Sequence, residues 1–177
     1  MPAKIEIPKY AQLEHERRFL VDRCPDLSQR PYRMIEDLYV DGSRLRARAI
    51  AFSDARPPEF KFCKKYPSDR ITSAPIVNMY LTAEEYELLS QLPGKAVRKR
   101  RYRLDFEGSL YCIDVFENAL CGLIMSEVEA SSSEALAALA PPPWGGLEVT
   151  EDPFFRGANL AAANAAELQA KISALRR

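Results

Sequence analysis

The stretch Leu13-Glu14-His15-Glu16-Arg17-Arg18-Phe19-Leu20-Val21 constrains the chain more than any other. Side chains of a strand repeat every two residues, so Glu14, Glu16 and Arg18 share one face, with His15, Arg17 and Phe19 on the other. Two carboxylates and a cation on one edge repel or pair unless something joins them. A divalent ion does this well, and hard carboxylate oxygens suit Mg²⁺ or Mn²⁺.

The rest of the chain supplies strands of the opposite sign. Tyr32 to Val40 reads as a strand ended by the hairpin signal Asp41-Gly42. Beyond it, Arg44, Arg46 and Arg48 alternate with Leu45 and Ala47, and a short strand over Phe60 to Lys64 carries Lys64. Pro75 to Leu81 is extended. Thr82-x-x-Glu85 is a capping box. It opens a helix with Tyr86, Leu89 and Leu92 as its apolar face, stopped by Pro93-Gly94. Val97 to Phe106 places Lys99, Arg101 and Arg103 on one face, then turns at Glu107-Gly108-Ser109. In the return strand to Glu117, Cys112, Asp114 and Phe116 share a face. Gly122 to Ala130 carries Glu127 and Glu129 on one side. Ser131-x-x-Glu134 is expected to cap an alanine-rich helix ending at Pro141-Pro142-Pro143. Leu168, Ile172 and Leu175 mark a docked amphipathic helix in the tail.

Strands joined by hairpins and short turns favour an antiparallel sheet, here of about eight strands by the pattern above. A flat sheet with one solvated face would also display charges, but such a face mixes signs. Here single strands are purely basic while the first strand and the Glu127 strand are mainly acidic. That segregation suits an α+β fold: an eight-stranded antiparallel closed β-barrel, its charges pointing inward, with peripheral helices. Residues 1–12, with Pro2 and Pro8, read as an arm. Residues 13–177 read as a single domain closed by the C-terminal helix, a length sufficient for one core.

A basic lumen is tolerable only around a ligand of high negative charge, and polyphosphate oxygens need Arg forks and Lys point charges. Arg46, Arg48, Lys64, Lys99, Arg101 and Arg103 are the candidate grip. The pairs Glu14/Glu16 and Glu127/Glu129 are two E-x-E motifs, each with carboxylates about 7 Å apart on one face. Three such oxygens from neighbouring strands would hold one metal ion. The partner this pattern points to is therefore a small molecule of high negative charge, of the polyphosphate kind. The 25 basic and 25 acidic residues cancel, so bulk attraction to nucleic acid or membrane is not indicated. No aromatic platform shares the basic faces, which argues against RNA, and no glycine-rich loop supports a dinucleotide or P-loop site. The four cysteines have no C-x-x-C spacing and read as reduced thiols of a cytoplasmic protein. No segment approaches the roughly 20 apolar residues of a membrane span. A monomer and a homodimer both remain open. His15 faces away from the carboxylates, Tyr39 suits either a core or a catalytic position, and Trp144 reads as a loop anchor.

Taken in order, these motifs resemble the CYTH domain, the triphosphate tunnel metalloenzyme superfamily, from Leu13 to about Leu160. Glu14-His15-Glu16-Arg17-Arg18 is similar to its opening E-x-E-x-K strand, and Arg46-Ala47-Arg48 to its R-x-R strand. Lys64 resembles the lysine after the next turn, and Lys99-Arg100-Arg101-Tyr102-Arg103 the K-x-R-Y-R strand. Asp114, Phe116, Gly122-Leu123 and Glu127-Val128-Glu129 resemble the D-x-F, G-L and E-x-E that follow. Trp144, Glu148-Val149-Thr150, Asp152 and Asn159-Leu160 resemble the closing segment of small bacterial members.

The resemblance implies an eight-stranded tunnel binding a triphosphate with Mg²⁺ or Mn²⁺. It implies Glu14, Glu16 and Glu129 as metal ligands supported by Glu127, and the basic residues above as the phosphate grip. Asp114 would orient a basic partner or a second metal's waters. Three departures stand out. Arg18 replaces a lysine that in the thiamine triphosphatase branch works beside a tyrosine, for which Tyr39 is the matching place; a guanidinium holds phosphate but does not act as a base. Asn78-Met79-Tyr80 stands where members often carry another E-x-E. Phe62 stands where a smaller polar residue is usual, and is expected to narrow that wall. The function expected is metal-dependent hydrolysis of a triphosphate, most simply inorganic triphosphate to diphosphate and phosphate. A non-catalytic polyphosphate- or nucleotide-binding tunnel is the alternative; class IV adenylate cyclase and thiamine triphosphatase rank behind these.

Overall fold

The fold is taken from a computed structural model, which describes residues 8–70 and 72–176. The arm expected over 1–12 lies outside the described residues for positions 1–7. Gln12 already belongs to the first strand, because it pairs with Ile76.

Among the described residues nine strands form: β1 (Gln12–Val21), β2 (Tyr32–Val40), β3 (Leu45–Phe52), β4 (Glu59–Lys65), β5 (Ser73–Leu81), β6 (Gly94–Phe106), β7 (Ser109–Phe116), β8 (Ile124–Ala130) and β9 (Gly145–Glu148). Helix α1 (Ala83–Ser90) lies between β5 and β6, and α2 (Ser133–Ala137) between β8 and β9. Helices α3 (Gly157–Ala162) and α4 (Ala165–Leu175) follow β9. Every pairing is antiparallel. The order β5-β4-β3-β2-β6-β7-β8-β1 returns on itself through β1–β5, closing an eight-stranded barrel. β9 is a short addition to the outer half of β1, paired through Phe19 and Val21. Sequence pattern does not announce β9, because four residues that begin Gly-Gly carry no alternation.

Local chemistry explains the joints. Phe106 faces Ser109 across the β6–β7 turn, and Glu107 and Gly108 both adopt positive φ (49° and 73°). That is the twist a two-residue hairpin requires. The α1 capping box forms as expected, Thr82 accepting from Glu85 N and Glu85 from Thr82 N. Tyr86 stacks on Phe60 of β4 at 4.9 Å, whereas Leu92 is left exposed. The cap of α2 is Ser132, not Ser131: its hydroxyl accepts from Ala135 N. Asn164 and Glu167 form a second capping box at α4.

Two apolar clusters hold the barrel. The outer one packs Phe19, Tyr102, Leu104, Tyr111, Ile113, Val128 and Leu136 around Trp144. Trp144 is the anchor its position suggests. Its indole N–H donates to Ser126 Oγ at 3.0 Å, and its ring meets Phe106 and Tyr111 edge-on at 5.8 Å. The inner cluster fills one end of the lumen. Leu20, Val97, Phe116 and Met125 share the inward face of their strands and pack with Phe155, Leu160 and Leu168. The docked helices α3 and α4 thus turn a tunnel into a cup with an apolar floor. Among the described residues no helix is long and apolar enough to cross a membrane.

Candidate functional site

Register decides what the cup contains. Glu14, Glu16 and Arg18 of β1 point inward. Glu16 stands opposite Glu129 and Arg18 opposite Glu127 of β8. Next round the wall, Cys112 and Asp114 of β7 face Arg103 and Arg101 of β6. Asp37 and Tyr39 of β2 face Arg48 and Arg46 of β3, which in turn face Lys61 and Cys63 of β4. Lys65, two residues beyond Cys63, lies on the same inward face.

The acidic edge is already balanced from within. Arg18, 7% exposed, donates to Glu16 and lies 3.8 Å from Glu127. Burial opposes its charge, but Glu16 and Glu127 overcome this and hold its pKa above the ordinary guanidinium value. Lys65 Nζ sits 2.8 Å from Glu14 Oε2 and 3.3 Å from Glu16 Oε1. Its charge, too, is favoured despite burial, by Glu16 and Glu14. Glu14 Oε2 is buried, with the Lys65 ammonium as its close contact. Desolvation and the charges of Glu14, Glu16 and Glu127 push the Glu129 carboxyl up. Among the described residues no three metal-ligating side chains meet closely enough to hold an ion in this arrangement. The donor set nevertheless fits one: hard oxygens, mutual repulsion at Glu129, and a buried Glu14 oxygen whose close contact is a lysine rather than a backbone donor.

The basic wall is organised by two buried aspartates. Asp114 is fully buried; it accepts from Lys99 Nζ at 2.5 Å and from Arg101 Nε and Nη2 at 2.6 Å each. Arg101 also donates to Glu127. Burial works against both ions, but Asp114 and Glu127 hold the Arg101 pKa well above its ordinary value. Lys99, Arg101 and Arg18 bring Glu127 far below the carboxylate range against its own burial. Asp37 accepts from Arg48 Nε (2.6 Å) and Nη2 (2.7 Å) and lies 3.5 Å from Arg46 Nε. Despite burial, these cations depress its pKa strongly. Arg46 Nε is buried and faces Asp37 without reaching hydrogen-bond geometry. A guanidinium carries five N–H groups and an ammonium three, so fixed cations of this kind keep donors for a further anion.

Tyr39 closes the chamber near Arg46, its hydroxyl against Gly157, where any Cβ would collide with it. Burial and Asp37 push its phenol up, outweighing Arg46 and Arg48. Both shifts run toward the protonated forms, the neutral Tyr39 phenol and the charged Arg18 guanidinium.

The seam in β1 is stitched by a side chain. On the edge away from β8, β1 pairs with β5 up to His15 and with β9 from Phe19. Between them, Glu16 N donates to Thr72 O at 3.0 Å, and Arg18 N donates to Thr150 Oγ1 at 2.9 Å. Thr150 donates onward to Glu148, whose carboxylate also takes Arg17 Nε and Nη2. The closing segment therefore pins the backbone that carries Glu16 and Arg18. Thr150→Val keeps the shape and leaves the buried Arg18 N–H unpaired. It is expected to cost about 1–3 kcal/mol in chemical denaturation, with Thr150→Ser close to wild type.

Lys64 does not belong to this site. It pairs with Leu45 and Val77 on the outer face of β4, exposed, with its ammonium over the Tyr66 ring. Strand alternation puts its neighbour Lys65 inside instead. Phe62 shares the outer face, opposite Ala47 and Met79, and does not narrow the lumen. Arg103 lies on the inward face at the mouth, exposed. His15 faces outward, buried, with Nδ1 3.2 Å from Ser133 Oγ. Asn78 and Tyr80 face inward on β5, Tyr80 at the rim and 75% exposed. Asp37, Lys61 and Lys65 are inward charges that sequence reasoning missed, as are Arg33, opposite Arg101, and Glu59, opposite Ile50. For Lys61 and Lys65 a signal existed: Phe60 and Phe62 alternate with them and belong on the face that α1 covers.

No protein-family model matches the chain. Two curated relatives are inorganic triphosphatases. That of Nitrosomonas europaea is 44% identical over 69 residues, covering 38% of this chain and 46% of the relative. That of Acetivibrio thermocellus is 37% identical over 78 residues, covering 44% and 49%. The chain thus spans about half the length of the curated relatives it matches. The crystal structure of the inorganic triphosphatase NE1496 superposes with a TM-score of 0.56 at 27% identity, covering 85% of this chain and 95% of that one.

Proposed function

We propose that the chain is a member of the CYTH, or triphosphate tunnel metalloenzyme, superfamily and that it hydrolyses inorganic triphosphate to diphosphate and phosphate. One observation carries the proposal. A single blind lumen brings the Glu14, Glu16 and Glu129 edge together with Arg46, Arg48, Lys99 and Arg101 on fixed aspartates. Phosphoryl transfer asks a protein mainly for positioning and charge stabilisation, and this lumen supplies both.

A Mg²⁺ or Mn²⁺ ion would be held by Glu14, Glu16 and Glu129, with Glu127 behind them, and would supply Lewis-acid polarisation of a phosphoryl oxygen. The chain's own residues do the remainder. Asp37 fixes the Arg48 fork and Asp114 fixes Lys99 and Arg101, so their remaining donors are aimed before substrate arrives. Arg46 lies beside Asp37 on the same inward face and adds a further fixed cation. Arg18, charged at all working pH values, holds phosphate and takes no proton. The apolar floor of Leu20, Val97, Phe116 and Met125 leaves the polar length of the cup to a compact anion, which favours tripolyphosphate over a substrate with an organic end group. Four free thiols support a reducing compartment, the cytoplasm.

Phosphate release from tripolyphosphate, ATP and thiamine triphosphate, each with Mg²⁺ and Mn²⁺, tests this. Tripolyphosphate should be cleaved fastest, and release no greater than that of a Glu14→Ala/Glu16→Ala control rejects hydrolysis. The proton held on Arg18 favours one second reading, a triphosphate sensor. Calorimetry showing persistent tripolyphosphate binding without turnover would select it.

A further inference from the structure

Lys65 occupies the position a metal ion would contest. Its ammonium lies between Glu14 Oε2 (2.8 Å) and Glu16 Oε1 (3.3 Å), the two carboxylates of the β1 edge. The other cation there, Arg18, is held differently. It sits on the same strand, its side chain is 9% exposed, and Glu16 and Glu127 flank it. The Lys65 side chain is 38% exposed, on the last residue of β4, and its hydrogen bond to Glu16 Oε1 is a long one, 3.3 Å. A compact point charge on a flexible stem, loosely directed, is the cation of the two that can leave.

We propose that Lys65 is a resident substitute for the metal, which must be displaced before Glu14 and Glu16 can ligate an ion. In the resting protein it neutralises the two carboxylates and lets them share one narrow edge. A divalent ion competes with it for the same oxygens, so the ion alone binds weakly. A triphosphate in the lumen gives the displaced ammonium a new anion beside its old one. Lys65 thereby couples the two ligands, and by linkage each strengthens the other to the same degree. The coupling makes the protein take up metal and triphosphate together rather than filling with metal alone. The inference rests on the proposal that Glu14 and Glu16 hold the metal.

Binding separates the possibilities without any turnover. Mn²⁺ affinity is measured by electron paramagnetic resonance for wild type, Lys65→Met and Lys65→Gln, with and without a non-hydrolysable imido analogue of tripolyphosphate. Without the analogue, both variants should bind Mn²⁺ about tenfold more tightly than wild type, a coupling of the usual size. They should bind the analogue more weakly, and its enhancement of Mn²⁺ affinity should shrink by the same factor. Lys65→Gln keeps the comparison valid if Lys65→Met does not fold. Unchanged or weaker Mn²⁺ binding in a folded variant overturns the role given to Lys65 while leaving the metal edge intact. No Mn²⁺ binding by any of the proteins, with or without the analogue, overturns the metal edge and the role of Lys65 with it.

Discussion

Replacement of Asp114 by alanine is expected to destabilise the protein by about 3–5 kcal/mol, a large part of the 5–15 kcal/mol typical of a folded domain. The cause is not a lost contact in itself. Asp114 is the fully buried carboxylate that balances Lys99, 6% exposed, and Arg101. Without it two largely buried cations stay in the wall with Glu127 and, for Lys99, Asp37 as the remaining carboxylates. Urea denaturation should show the loss as a lower midpoint with little change in slope. Asp54→Ala, which breaks an exposed pair with Arg56, should leave the midpoint unchanged. Equal shifts for the two variants would mean that the Asp114 network does not organise the wall.

The second large effect falls on activity. Glu16→Gln preserves volume and removes one charge from the metal edge. Its stability cost should be small, because Arg18 retains Glu127 and Lys65 retains Glu14. Turnover of tripolyphosphate should nevertheless fall by about 10³-fold or more, roughly 4 kcal/mol of transition-state stabilisation. Initial rates of phosphate release at saturating metal measure this. A fall of less than about threefold, in a variant with an unchanged denaturation midpoint, would remove Glu16 from the metal edge.

What could be read in the sequence follows from how far each feature depends on distant pairing. Strand alternation alone turns Glu14, Glu16 and Arg18 inward together, and the same period aligns Lys99 with Arg101. The Glu107-Gly108 turn then sets the β6–β7 register that places Asp114 opposite Arg101. The E-x-E pair of β8 meets β1 because the two strands are neighbours in the closed barrel, which the segregation of charge by strand suggests. Lys64 and Lys65 show the limit. A single-residue shift exchanges the faces of a strand, and β4 offers a lysine on each. The two phenylalanines before them carry the deciding information, but only once α1 is known to cover their face. Asp37 lay hidden because an aspartate in a strand reveals its role only beside its partner, here Arg48 across the β2–β3 ladder. The apolar floor was equally hidden. Leu20, Val97, Phe116 and Met125 read as ordinary core positions until α3 and α4 dock over one end of the barrel. The cap of α2 slipped by one because three consecutive serines offer the same hydroxyl, and backbone geometry selects Ser132.

The most direct measurement of the central claim is a crystal structure with tripolyphosphate and Mn²⁺ bound. The account predicts the phosphate chain inside the cup, its oxygens on Arg46, Arg48, Lys99 and Arg101. It predicts the ion on Glu14, Glu16 and Glu129, with Lys65 released from both β1 carboxylates. Tripolyphosphate on the outer surface, or an ion held elsewhere while Lys65 still bridges Glu14 and Glu16, would contradict it.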